Sequence, residues 1–65
     1  MKAEYFQDTD TLLLTFSERA VVDTQDVNEN LLVELDEAGR VVAITIEHAN
    51  EQMDVREFSY RLRVA

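Results

Sequence analysis

Apolar residues recur at every second position over much of the first 47 residues, the period of a strand with one side turned from water. Lys2 to Phe6 alternates, Gln7-Asp8-Thr9-Asp10 interrupts, and Thr11 to Phe16 resumes with Leu12, Leu14 and Phe16 on one side. Short carboxylates such as Asp8 and Asp10 suit the interruption because they bond backbone N–H groups two residues on. The pattern predicts a β-hairpin. A second hairpin is written more strongly. Leu31, Val33 and Leu35 share one side of its first arm, and Val42, Ile44 and Ile46 share one side of its second. Asp36-Glu37-Ala38-Gly39 joins the arms. Asp is favoured at the first position of a type I turn, and the chain's one glycine stands where a positive φ closes a turn-plus-bulge connection.

Residues 17–30 show no clear period. Polar stretches at Ser17-Glu18-Arg19 and Gln25 to Asn30 flank Ala20-Val21-Val22, so the expectation is loop with a short edge strand around Val21. After His48 the period changes. Asn50 and Asp54 are candidate helix N-caps, Glu57 lies three residues past Asp54, and Val55, Phe58 and Leu62 fall on one helical stripe. Acidic Glu51, Asp54 and Glu57 precede basic Arg61 and Arg63, the order that complements a helix dipole. The expected fold is α+β: an antiparallel β-meander of about four strands, then one short C-terminal helix of about three turns packed on the sheet. All of residues 1–65 form a single small domain in this reading.

Length sharpens the picture. A chain of 65 residues buries only about 60% of its unfolded surface, and small domains compensate with disulfides, a structural metal or self-association. With no cysteine and one histidine, self-association is what remains, and a homodimer is the commonest closed form. If Leu12, Leu14, Val33, Leu35, Val42, Ile44 and Ile46 face inward under the helix, then Leu13, Leu32, Val41 and Ala43 turn outward. Four neighbouring apolar residues on an outer face are an interaction surface by expectation. The helix stripe of Val55, Phe58 and Leu62 is the other interface candidate.

Charge narrows the partners. Fourteen acidic residues against six basic give a net charge of -8, which repels nucleic-acid phosphates and anionic lipid and suits a basic partner protein. Three of the six basic residues, Arg56, Arg61 and Arg63, fall in the last ten positions. No apolar run approaches the roughly 20 residues of a membrane span, and no apolar signal core follows Met1-Lys2-Ala3-Glu4, so the expected location is the cytoplasm.

Candidate chemistry is sparse. His48 follows Glu47 at a strand end without a pocket to serve. Asp23, Asp26 and Glu29, spaced three apart, would clasp a cation if helical, but they lack the ligand density and turn glycine of a calcium loop. Ser17 and Ser59 have no triad around them, and a single glycine forbids a phosphate-binding loop. Tyr5, Phe16 and Phe58 read as core. No catalytic, cofactor-binding or metal-binding residue is expected, and the leading function is a non-enzymatic, homodimeric interaction module. The alternative is a small-ligand or divalent-cation binder using Asp23, Asp26 and Glu29 or the Glu47–His48 edge.

The motifs also carry a resemblance. Tyr5-Phe6, Asp10-Thr11-Leu12, Leu32-Val33-Glu34-Leu35-Asp36, Gly39, Arg40 through Glu47, and Ala49-Asn50 together resemble the small bacterial proteins grouped as domain of unknown function 2283. The chain departs from that pattern with Ala43 where glycine is usual and Asn50 where serine is. The resemblance spans about residues 4 to 50 and implies a small α+β fold with no functional residues. It also implies, by analogy, antitoxin-like partnership with small toxin-like proteins.

Overall fold

A computed structural model describes residues 1–64. Five strands form one antiparallel sheet: β1 (Lys2–Phe6), β2 (Thr11–Thr15), β3 (Asp23–Asn28), β4 (Leu31–Leu35) and β5 (Val41–Glu47). A single helical turn, α1 (Ala49–Gln52), follows. The order across the sheet is β1-β2-β5-β4-β3, so the β1–β2 hairpin joins the β3–β4–β5 meander through β2 and β5. Residues 16–22 connect the two units by strapping across one end of β5 and β4. Phe16 N–H donates to Val42 O at 2.8 Å and Val22 N–H to Leu35 O at 2.9 Å.

Both hairpins form where alternation placed them, and the α+β class holds. The strand in the 17–30 region lies at Asp23–Asn28 rather than around Val21, which raises the count to five. All six of its residues are exposed. An edge strand wetted on both faces has no side to make apolar, and so it carries no alternation to read.

The Asp36–Gly39 turn follows its residues closely. Gly39 sits at φ 80°, its N–H donates to Asp36 O at 3.0 Å, and Asp36 N–H donates to Arg40 O at 2.9 Å. A Cβ on Gly39 would meet nothing within 4 Å, so substitution is opposed by backbone conformation alone. Gly39→Val is therefore expected to destabilise the fold by about 1–2 kcal/mol or more, and Gly39→Asn by clearly less, in chemical denaturation.

The C-terminal helix is much shorter than its stripe suggested. It spans four residues, its N-cap position is His48 rather than Asn50 or Asp54, and Met53 is already extended at φ -159°. Asp54 does act locally: its carboxylate accepts from Arg56 N–H at 3.0 Å and its carbonyl from Glu57 N–H at 3.3 Å. That turn does not propagate. A helix of eight or nine residues is marginal without a surface to pack on, and the stretch is rich in aromatic and β-branched types. The expected packing of Val55, Phe58 and Leu62 onto the sheet is absent: Val55 is half-buried, while Phe58 is 58% and Leu62 79% exposed.

What anchors α1 is the β1–β2 turn. Asp10, held at φ 56°, accepts at its carbonyl from Ala49 N–H (3.0 Å) and at Oδ1 from Asn50 N–H (2.9 Å). Its carboxylate thus supplies the cap that the helix lacks in its own sequence. Ala49 is fully buried there.

Candidate interaction surface

Register assigns every strand residue to a face, because partners directly opposite in an antiparallel ladder point the same way. One row across the sheet reads Ala3, Leu14, Ile44, Val33 and Gln25, and the next reads Tyr5, Leu12, Ile46, Leu31 and Asn28. From β1 through β4 this face is wholly apolar apart from the Tyr5 hydroxyl. The opposite face reads Lys2, Thr15, Ala43, Glu34 and Thr24 in one row, and Glu4, Leu13, Thr45, Leu32 and Asp26 in another. It is mixed and acidic.

Among the described residues no second strand layer or helix packs broadly over the apolar face. Leu12, Leu14, Leu31, Val33, Ile44 and Ile46 are all only half-buried, and each strand contacts chiefly its sheet neighbours. Among the described residues the fully buried apolar side chains are Val42, Ala43 and Ala49, and no large side chain is completely enclosed. The molecule is a slab, 34 × 32 × 19 Å, with a radius of gyration of 12.8 Å against about 11 Å for a compact chain of this length. Its accessible surface is 5316 Å², where a folded monomer of its 7.5 kDa mass shows about 4,200 Å². An excess near 1,100 Å², to which residues 53–64 contribute, is comparable to the roughly 800 Å² each partner buries in a standard interface.

The outer-face candidates fare differently. Leu13 and Leu32 are half-buried among Glu4, Thr45 and Asp26 on the mixed face. Val41 is 38% exposed beside a bulge, where pairing steps from Glu34–Ala43 to Leu35–Val41 and leaves Val42 as the extra residue. Ala43 is 7% exposed within the single chain and has little left to bury against a partner.

Two polar centres hold the ends of the slab. At the β4–β5 turn, Asp36 is 6% exposed, and its Oδ1 accepts from Ala38 N–H at 2.9 Å and Arg40 N–H at 2.8 Å. Its Oδ2 pairs with the guanidinium groups of Arg40 and of Arg19, the latter reaching in from the strap. Arg19 also donates to Val41 O at 3.3 Å. The Arg40 backbone N–H, then the Arg19 side chain and Ala38 N–H, hold the Asp36 carboxyl below the usual carboxylate range, against the opposing pull of desolvation. The open hollow of about 360 Å³ beside this centre is lined by the same arginines. Both pair with Asp36, which offsets part of their charge. At the other end the Tyr5 hydroxyl donates to Asp10 Oδ1 at 2.6 Å. That bond lowers the Asp10 pKa, with help from Asn50 N–H, and raises that of Tyr5.

Of the polar residues singled out in the sequence, Asp26, Glu29 and Glu47 line one hollow and Glu29 and His48 another. Asp23 and Asp26 point to opposite faces of β3, with Glu29 in the following turn. No cluster of three or more His, Cys, Asp or Glu able to hold a metal occurs among the described residues. His48 Nδ1 lies 2.8 Å from Asn30 Oδ1 and Glu47 N–H donates to Asn30 O, which ties β5 to the β3–β4 turn. Ser17 Oγ accepts from Arg19 N–H at 3.2 Å and shapes the strap. No helix among the described residues is long and apolar enough to cross a membrane.

Fold and surface together define a class: a small single-layer antiparallel sheet domain, tied at both ends by aspartates, with one apolar face left open. The family model described as "Protein of unknown function (DUF2283)" matches residues 2–50, and the chain belongs to that family. No curated protein and no solved structure matches it. The matched span contains all five strands and the first two residues of α1, and it stops before residues 53–64.

Proposed function

We propose that this protein is a non-enzymatic interaction module that works as a homodimer, two sheets packing apolar face to apolar face. The observation that carries this reading is the uncovered row pair centred on Leu12, Leu14, Ile44, Ile46, Leu31 and Val33. An isolated sheet layer with one oily side needs a second layer, and sheets stack about 10 Å apart when they find one. A second copy supplies an identical face, the arrangement of an isologous two-fold interface. Pairing by this face leaves both mixed faces outward. Each carries Glu4, Asp26, Glu34 and Glu47 against Lys2 alone, an acidic surface matched to a basic protein partner. Neutralisation of a small basic toxin-like protein is one form such binding takes.

If folding and pairing are linked, the melting midpoint depends on concentration. Melts from low micromolar to millimolar protein are expected to show a midpoint that climbs steadily. A midpoint unchanged across that range would remove the dimer.

A further inference from the structure

Residues 57–64 contain a second, unspent pattern. Phe58, Tyr60, Leu62 and Val64 alternate with Glu57, Ser59, Arg61 and Arg63, the strict period of a half-buried strand. None of these residues lies in a strand or helix, and the four apolar side chains are 58%, 73%, 79% and 93% exposed. We infer that residues 57–64 become a sixth strand in the dimer, laid antiparallel along the β3 edge of the second copy. The inference rests on the homodimer reading and adds to it an exchanged arm.

Charge and reach choose this occupant and this edge, and a two-fold axis along the strands gives the matching direction. Residues 1–52 hold three basic and twelve acidic residues, whereas residues 53–65 hold three arginines against Asp54 and Glu57. The β3 edge carries Asp23 and Asp26 with no basic residue, while Lys2 and Glu4 balance on the β1 edge. The basic arm therefore prefers β3.

Val55 and Arg56 line a hollow with Tyr5, Gln7 and Asn50, so the arm leaves from the β1 end of the sheet, on the side where Tyr5 belongs to the apolar face. In the dimer the turn closed by Asp54 opens, and Met53 to Arg56 then spans up to about 13 Å, enough to cross the roughly 10 Å between stacked sheets. Eight further residues then extend about 26 Å, longer than the six-residue β3.

With the two-fold axis along the strands, β1 of one copy lies over β3 of the other. The arm starts at the end where β5 finishes and runs back, antiparallel to β3, the better-bonded arrangement. Placed so, Phe58, Tyr60 and Leu62 turn toward the space between the sheets, on the same side as Gln25 and Asn28 of β3. Arg61 and Arg63 fall on the outer side near Asp26, a cross-strand pairing of opposite charge.

The test is nuclear magnetic resonance on an equal mixture of differently isotope-labelled copies at a concentration where the dimer forms. Intermolecular contacts between residues 57–64 and 23–28 are expected, with amide exchange in 57–64 slowed at least about tenfold relative to the monomer. Tyr60→Asp with Leu62→Asp should abolish that protection, and Asp26→Lys should reduce it. A dimer whose 57–64 amides exchange freely overturns the exchanged arm and leaves the face-to-face dimer standing. Contacts confined to the chain's own sheet, or made to the partner's β1, overturn it as well. A monomer at every concentration overturns both readings.

Discussion

Asp36→Ala is expected to lower the melting midpoint by roughly 10 °C or more, the largest single-residue effect in the molecule. The side chain is nearly inaccessible and serves four donors at once: two turn N–H groups and two guanidinium groups. Truncation leaves those donors without their acceptor, and removing one member of a buried charged group costs far more than the group's net worth. It also unties the strap, because Arg19 is drawn to the β4–β5 turn by this carboxylate. In a domain whose whole stability amounts to only about 3–10 kcal/mol, such a loss consumes much of the margin.

Asp36→Asn separates the two contributions. Its amide oxygen still accepts from Ala38 and Arg40, so the turn survives while the charge is lost, and the midpoint should fall between wild type and Asp36→Ala. The pH dependence separates them again. The Asp36 carboxyl is held below its ordinary pKa, chiefly by the Arg40 N–H. Its contribution is therefore fully present above the unfolded value of about 4 and fades as pH falls through the folded value. Stability against pH below about 4 should be flatter in Asp36→Asn than in wild type. The acid dependence that remains belongs in part to Asp10, whose carboxyl is lowered by the Tyr5 hydroxyl.

Ile44→Glu is expected to weaken self-association by two or more orders of magnitude, and Leu13→Glu by no more than a few-fold. The two positions sit on adjacent central strands, both half-buried, and differ in the face they occupy. Ile44 lies between Leu14 and Val33 in the middle of the apolar row, where a carboxylate would be stripped of water without a partner. Leu13 lies between Glu4 and Thr45 on the mixed face, where a carboxylate stays wet. Sedimentation of the two variants side by side reads the difference. Equal weakening would mean that the apolar face is not where two copies meet.

How much of this was legible in the sequence depended on where the determining contact lies. The β4–β5 hairpin was fully readable because its information is local: alternation on both arms, Asp36 to open the turn, Gly39 to close it. β3 was not, since an exposed edge strand takes its structure from β4 and needs no pattern of its own. The stretch after Met53 misled because Val55, Phe58 and Leu62 satisfy a helical period while Phe58, Tyr60, Leu62 and Val64 satisfy an extended one. The longer run of strict alternation was the signal available in the residues. Alternation sorts the strand residues between the two faces except at the β4–β5 bulge, where Val41 pairs with Leu35 and so shares its side; with no three-turn helix over the apolar side, the proposed interface lies there rather than at Leu13, Leu32, Val41 and Ala43. Asp36 read as a turn-former; its two arginines were invisible because Arg19 meets it only through the strap. Asp10 read the same way, and its capping of α1 depends on a contact 40 residues away.

Sedimentation equilibrium on the wild-type chain at tens to hundreds of micromolar tests the central claim most directly. Two sheets joined by their oily sides predict a particle of twice the 7.5 kDa chain mass. A particle of single-chain mass with its strands intact, stable while that side faces water, would contradict it.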